Sequence, residues 1–104
     1  MENPINALLI HPRDNVAVAL VPLAPGDVAR YRLGEDVEAI EIAEAIPMYH
    51  KFARENIAAW EHVRKYGETI GAATRPIPCG AHVHTHSVTS LAFVTGAREE
   101  AEGQ

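Results

Sequence analysis

Residues 81–88 read Ala-His-Val-His-Thr-His-Ser-Val, with histidine at every second position in the middle of the stretch. In an extended strand, successive side chains point to opposite faces, so residues two apart share a face. His82, His84 and His86 are therefore predicted to project from one side of a strand. This two-residue period indicates β structure, because a helix repeats every 3.6 residues.

Short apolar runs separated by turn residues extend over the rest of the chain. They predict strands at residues 7–11, 16–21, 28–33 and 37–42, with turns at 12–15, 22–27 and 34–36. Turn signals about every 8–12 residues are typical of a compact β-rich domain. The length of 104 residues leaves room for one domain. We predict a mainly β single domain at residues 1–95, without an internal repeat, and a flexible charged tail at 96–104.

The stretch 50–62 is ambiguous. Ala53, Ile57 and Trp60 are spaced i, i+4 and i+7 among residues with good helix propensity. One short helix around residues 50–62 is therefore expected as an alternative to continued β structure.

Composition excludes several functional classes. The 9 basic and 14 acidic residues give a formal net charge of −5, which argues against nucleic-acid binding. No run approaches the roughly 18 apolar residues of a membrane helix. The single cysteine, Cys79, cannot form an intrachain disulfide, so a reducing, cytoplasmic setting is expected. Because glycine-rich phosphate loops, Gly-x-Ser-x-Gly and Cys-x-x-Cys are missing from the sequence, nucleotide hydrolases, α/β-hydrolases and zinc ribbons are disfavoured.

The histidine row suggests three kinds of role. Neutral imidazole binds zinc, iron, nickel or copper, and His82, His84 and His86 could ligate such an ion or bind an anionic substrate. A further ligand could come from His11, His50, a carboxylate or another chain. A polar row on a solvated or interface strand is the third reading, and the sequence leaves all three open.

His50 and Lys51 form a second candidate pair. Either side chain could hold a carboxylate or act as a general acid or base. Most exposed lysines are merely solvated, so the pair by itself leaves the chemistry open.

Four motifs occur in a fixed order along residues 10–90. They are His11-Pro12-x-Asp14-Asn15-Val16-Ala17-Val18-Ala19, Ile46-Pro47-x-x-His50-Lys51-x-Ala53, Lys65-Tyr66-Gly67-Glu68-x-Ile70-Gly71-x-Ala73-Thr74 and Gly80-x-His82-Val83-His84-x-His86. In this order they resemble the SAF-type N-terminal region of the altronate/galactarate dehydratases.

The resemblance implies a small β-clip (SAF-like) fold and a role in a lyase. The family includes small subunits of this length that pair with a much larger subunit. The implied function is the small subunit of a hydro-lyase that dehydrates a sugar acid such as altronate or galactarate. Most of the active site would lie in the large dehydratase subunit, with a divalent metal (iron, manganese or zinc) shared between the two chains.

The resemblance also implies roles for individual residues. Catalytic roles fall on His50, Lys51, His84 and His86. Substrate binding falls on Lys65, Tyr66 and Ser87, and metal ligation on His82, His84 and His86. The chain departs from the family where Tyr49 and Trp60 replace glycine and where Ser87 replaces asparagine.

Other functions remain as alternatives at this stage. The chain could be the small subunit of a sulfolactate sulfo-lyase, or a stand-alone metal-binding protein. It could also be a non-catalytic module that binds carbohydrate or protein through Tyr49 and Trp60. A thin core with exposed aromatic residues further predicts self-association into a homo-oligomer.

Overall fold

The computed structural model describes residues 4–84, 88 and 89. All regular structure in this part of the chain is β. The strands are β1 (Ala7–Leu8), β2 (Val16–Ala19), β3 (Val28–Leu33), β4 (Asp36–Glu41), β5 (Lys51–Ala53), β6 (His62–Lys65), β7 (Glu68–Ala73), β8 (His82–Val83) and β9 (Val88–Thr89). The predicted mainly β fold is confirmed. His86, Ser87 and the predicted tail at 96–104 lie outside the described residues.

A four-stranded antiparallel sheet, ordered β1-β2-β5-β8, forms the centre of the domain. The register places Ala17 opposite Phe52 and Phe52 opposite His82, while Lys51 lies between Val18 and Val83. β2 reads Val-Ala-Val-Ala and is buried along almost its whole length. Such a continuous apolar run is typical of a strand covered on both faces.

Each face of the central sheet packs against its own hairpin. The β3–β4 hairpin covers the face that carries Phe52, and Tyr31 packs there in one buried cluster. The β6–β7 hairpin contributes Val63 to a second cluster that contains Val83. β5 separates the two cores, so side chains of neighbouring residues on this strand enter different environments.

The two halves of the domain repeat one backbone plan, although no repeat was expected from the sequence. Each half contains an isolated antiparallel bridge, Leu23 with Ile46 in the first and Ile57 with Ile77 in the second. Each also has a hairpin between two four-residue turns, at 24–27 and 47–50 in the first half and at 58–61 and 78–81 in the second. Only a few side chains repeat with this backbone plan. Ile46-Pro47 recurs as Ile77-Pro78, and the Asp27 and Glu61 carboxylates close equivalent turns by accepting hydrogen bonds from the N–H groups of Ala24 and Ala58.

A helix around residues 50–62 was the wrong alternative. Strand β5 and the turn at 58–61 occupy this segment, and Ile57 exchanges backbone hydrogen bonds with Ile77. Long-range pairing and burial of Ile57 outweigh the local helix propensity. Trp60, the last residue of the apparent helical stripe, is exposed and has a φ of 68°, which an α-helix does not allow.

Asp14 and Asn15 attach the loop after β1 to the second hairpin. The buried Asp14 carboxylate accepts hydrogen bonds from the backbone N–H groups of Tyr66 (2.9 Å) and Gly67 (2.8 Å). The Asn15 side chain accepts from Arg64 N–H at 2.7 Å and donates to the His62 carbonyl at 2.9 Å. These bonds fix β6 and its turn, which position Lys65 and Tyr66.

A polar cluster links the loop around Asp14 to the first hairpin. Arg54 forms an ion pair with Glu38 at 2.9 Å and donates to the Asp14 carbonyl at 2.8 Å. Glu38 also accepts a hydrogen bond from the buried Tyr31 hydroxyl. Burial, followed by this hydrogen bond, raises the pKa of Tyr31. Burial acts to raise the Glu38 pKa as well, but hydrogen bonds from Tyr31 and Arg54 and the Arg54 charge bring it below its usual value.

Candidate functional site

Three imidazoles meet at one end of the central sheet. Extending the β5–β8 register by one residue places His50 opposite His84 and diagonal to His82. The His50 and His84 rings stack with centroids 5.7 Å apart and planes 4° from parallel. The His82 ring lies 5.1 Å from each of the other two. We call His50, His82 and His84 the histidine cluster.

A direct hydrogen bond joins two members of the histidine cluster. His50 Nδ1 and His82 Nε2 are 2.9 Å apart. One nitrogen must donate and the other accept, so at least one of the two rings is neutral. Such a pair can pass a proton between its rings. The backbone N–H of His82 donates to Glu44 Oε1 at 2.6 Å, which anchors the beginning of β8.

The histidine cluster does not have the form of a metal site. Across residues 4–84, 88 and 89, no set of three or more His, Cys, Asp or Glu side chains is arranged to hold an ion. The His50 and His84 rings stack face to face, so their nitrogen atoms do not point to a common centre. A tetrahedral zinc site needs each nitrogen about 2.0–2.1 Å from one ion. A ligand set that includes His86 stays a prediction.

Lys51 lies on the other face of β5, away from the histidine cluster. Its half-buried ammonium group has a lowered pKa, first because of burial and then because of the positive charge of Lys65. Lys65 Nζ lies 4.7 Å from the centre of the Tyr66 ring, a cation–π contact. We call Lys51, Lys65 and Tyr66 the lysine cluster. Those predicted site residues that the structure describes thus form two groups, one on each face of β5.

An open cleft of about 470 Å³ adjoins the histidine cluster. His82 lines it, and it contains two charged residues that the sequence did not single out, Glu44 and Arg75. Within the described chain the Arg54–Glu38 contact is the only ion pair, so Arg75 has no carboxylate partner there. Sequence patterns could not identify this cleft because 38 residues separate Glu44 from His82.

Comparison with known proteins identifies the domain. Residues 5–91 match the family model described as the altronate/galactarate dehydratase SAF domain. The chain belongs to this family. The SAF domain is 41% identical over 78 residues to altronate dehydratase of Escherichia coli (strain K12) and 36% identical over 78 residues to that of Bacillus subtilis (strain 168). Both alignments cover 75% of this chain and 15% of the relative.

A third relative is itself called a subunit. The SAF domain is 44% identical over 48 residues to (2R)-sulfolactate sulfo-lyase subunit alpha of Chromohalobacter salexigens. This alignment covers 46% of the chain and 51% of that subunit. The expected family resemblance is therefore confirmed, and these relatives carry the names of lyases. The described residues contain no helix with the length and apolarity needed to cross a bilayer.

The two departures from family glycine fall at left-handed backbone positions. Tyr49 and Trp60 each have a φ of 68°, and each is the third residue of a four-residue turn in the SAF domain. A side chain in this conformation costs roughly 1–2 kcal/mol, which explains why glycine suits both positions. Both aromatic rings are exposed, so burial in the core does not offset this cost.

Proposed function

We propose that this chain is the small subunit of a carbon–oxygen lyase that dehydrates a sugar acid, with most of the active site in a larger subunit. The observation that carries this proposal is the 41% identity to altronate dehydratase, of which the matched region is 15%. The remainder of that enzyme would correspond to a separate, larger chain here.

The proposed reaction eliminates water across two neighbouring carbons. A base takes the proton next to the carboxylate, and the C–H electron pair forms a carbon–carbon double bond as the C–O bond of the next carbon breaks. The leaving hydroxide takes up a proton and departs as water, and the resulting enol becomes a 2-keto-3-deoxy acid. General acid–base groups must therefore lie within hydrogen-bond reach of both carbons.

The histidine cluster has the properties that this proton transfer requires. Of its members, His84 is the most exposed and would meet the substrate, while the hydrogen-bonded His50 and His82 would store or relay the proton. In the adjoining cleft, Arg75 would attract the acid's carboxylate. Because no three ligating side chains lie together among the described residues, a divalent ion shared between the two chains would take most of its ligands from the larger subunit.

A sulfo-lyase is the second candidate. The 48 residues aligned with the sulfolactate sulfo-lyase subunit make up 51% of it, so that subunit is about as long as this chain. The same proton removal, with sulfite in place of hydroxide as the leaving group, would describe that reaction. The name of this relative, itself a subunit, favours this candidate, whereas the longer alignment with altronate dehydratase, 75% of this chain against 46%, favours the first.

Reconstitution with the larger subunit tests the proposal. The chain would be combined with the larger dehydratase-type subunit from the same source and assayed with altronate, galactarate and (2R)-sulfolactate. We expect turnover of one acid only when both chains are present, as keto-acid formation or sulfite release. Equal activity of the larger subunit alone, or an inactive complex on all three acids, would instead favour a non-catalytic binding module.

The lysine cluster gives a prediction about charge. Lys65→Met removes the positive charge that lowers the Lys51 pKa, so we expect that pKa to rise while burial still keeps it below the ordinary lysine value. Lys65→Arg keeps the positive charge and should therefore leave the Lys51 pKa nearly unchanged. Because the chain has two lysines, side-chain NMR titration resolves Lys51 directly. An unchanged Lys51 titration in Lys65→Met would show that the two ammonium groups do not interact.

A further inference from the structure

An exposed apolar ridge runs along one edge of the first half. Two backbone pairs bound it, Ala19 with His50 at one end and Leu23 with Ile46 at the other. Between these pairs the segments 20–22 and 47–49 lie side by side. Four large apolar side chains in them are 37–68% exposed. They define the apolar ridge: Leu20, Val21, Met48 and Tyr49.

The second half contains the same backbone feature with different side chains. Segments 54–56 and 78–80 are bounded by the pairs Ala53–Ala81 and Ile57–Ile77. Small or polar residues occupy the positions that correspond to the apolar ridge: Arg54, Glu55, Cys79 and Gly80. Because one half folds without large apolar residues here, the backbone plan does not require them in the other half.

Tyr49 is not only exposed but also held in a strained backbone conformation. Its φ is 68°, whereas the equivalent residue of the second half is Gly80, with a φ of 85°. Glycine adopts this conformation without steric cost, but tyrosine does not. An exposed residue held in a strained conformation points to a functional constraint.

We infer that the apolar ridge is the docking surface for the larger lyase subunit. This inference rests on the proposed function. His50 ends the ridge, so a chain seated there would lie directly against the histidine cluster. Tyrosine and methionine are enriched at protein interfaces, and contiguous exposed apolar patches commonly mark them. In the altronate dehydratases the matched region is 15% of a longer chain, so much more protein is available to cover this ridge.

Binding measurements on the intact chains test the docking surface. The ridge variant carries Val21→Glu and Met48→Glu, and the control carries Val37→Glu and Ile70→Glu at exposed apolar positions on the two hairpins. The ridge variant and the control variant add the same negative charge. We expect the ridge variant to weaken binding to the larger subunit at least about 30-fold and the control less than about 3-fold. Two-dimensional NMR spectra would establish that both variants are folded.

Each other outcome overturns the inference in a recognisable way. Unchanged binding by the ridge variant, or equal losses in ridge and control variants, would place the docking surface elsewhere while the proposed function stands. A ridge variant that abolishes self-association but still binds the larger subunit would assign the ridge to a second copy of this chain. No association between the wild-type chain and the larger subunit would remove the proposed function together with the docking partner.

Discussion

Asp14→Ala is expected to lower the free energy of unfolding by about 4 kcal/mol, because a hydrogen bond to a charged group contributes about 1.5–3 kcal/mol and the variant removes several part-buried ones. The Asp14 carboxylate accepts from three backbone N–H groups, those of His11, Tyr66 and Gly67, at 3.2, 2.9 and 2.8 Å. Alanine leaves all three without this acceptor. A loss of this size is a large part of the roughly 5–15 kcal/mol that stabilises a typical domain.

Chemical denaturation of matched variants measures this effect. Asp14→Asn keeps one carbonyl oxygen as an acceptor but introduces an amide donor, so we expect a loss of about half that of alanine. Asp36→Ala serves as the control, since Asp36 is exposed in the other hairpin and should change stability by less than about 0.5 kcal/mol. If Asp14→Ala unfolds at the same denaturant concentration as the wild type, Asp14 is not the anchor of the second hairpin.

Local pattern was sufficient to predict the strands and the histidine face. The predicted strand at 28–33 coincides with β3, and that at 37–42 overlaps β4. Along β8, alternation correctly placed His82 and His84 on one side, with rings 5.1 Å apart. These features depend on a two-residue period that any extended segment shows. The family resemblance added the β-clip architecture, which periodicity alone did not specify.

The local sequence pattern could not predict contacts between segments that are distant along the chain. His50 joins His82 and His84 only because β5 and β8 pair in one register. The sequence predicts Asp14 as a turn residue, but its carboxylate accepts hydrogen bonds from N–H groups of the hairpin 52 and 53 residues further along the chain. Consecutive residues of a strand face opposite ways, so His50 and Lys51 could have been assigned to different groups from the sequence.

His82→Ala should lower kcat of the reconstituted lyase about 100- to 1,000-fold, which lies within the roughly 10²- to 10⁴-fold that a positioned acid or base contributes. The variant removes the ring that shares a hydrogen bond with His50 and contacts His84, so the proposed proton path is interrupted. His82→Gln can still form a hydrogen bond but cannot take up a proton near neutral pH. We therefore expect the glutamine variant to lose kcat while KM changes little.

The pH dependence of turnover separates a proton-transfer role from a structural one. Imidazole is the side chain that ordinarily changes charge nearest to neutral pH, so a proton relay through His82 should give the wild-type rate a pH dependence that the non-titrating His82→Gln alters. His62→Ala is the matched control, because His62 is an exposed histidine on β6 and belongs to neither cluster. It should keep the wild-type rate and profile. A fully active His82→Ala complex with an unchanged profile would exclude His82 from proton transfer and limit the histidine cluster to packing or partner contact.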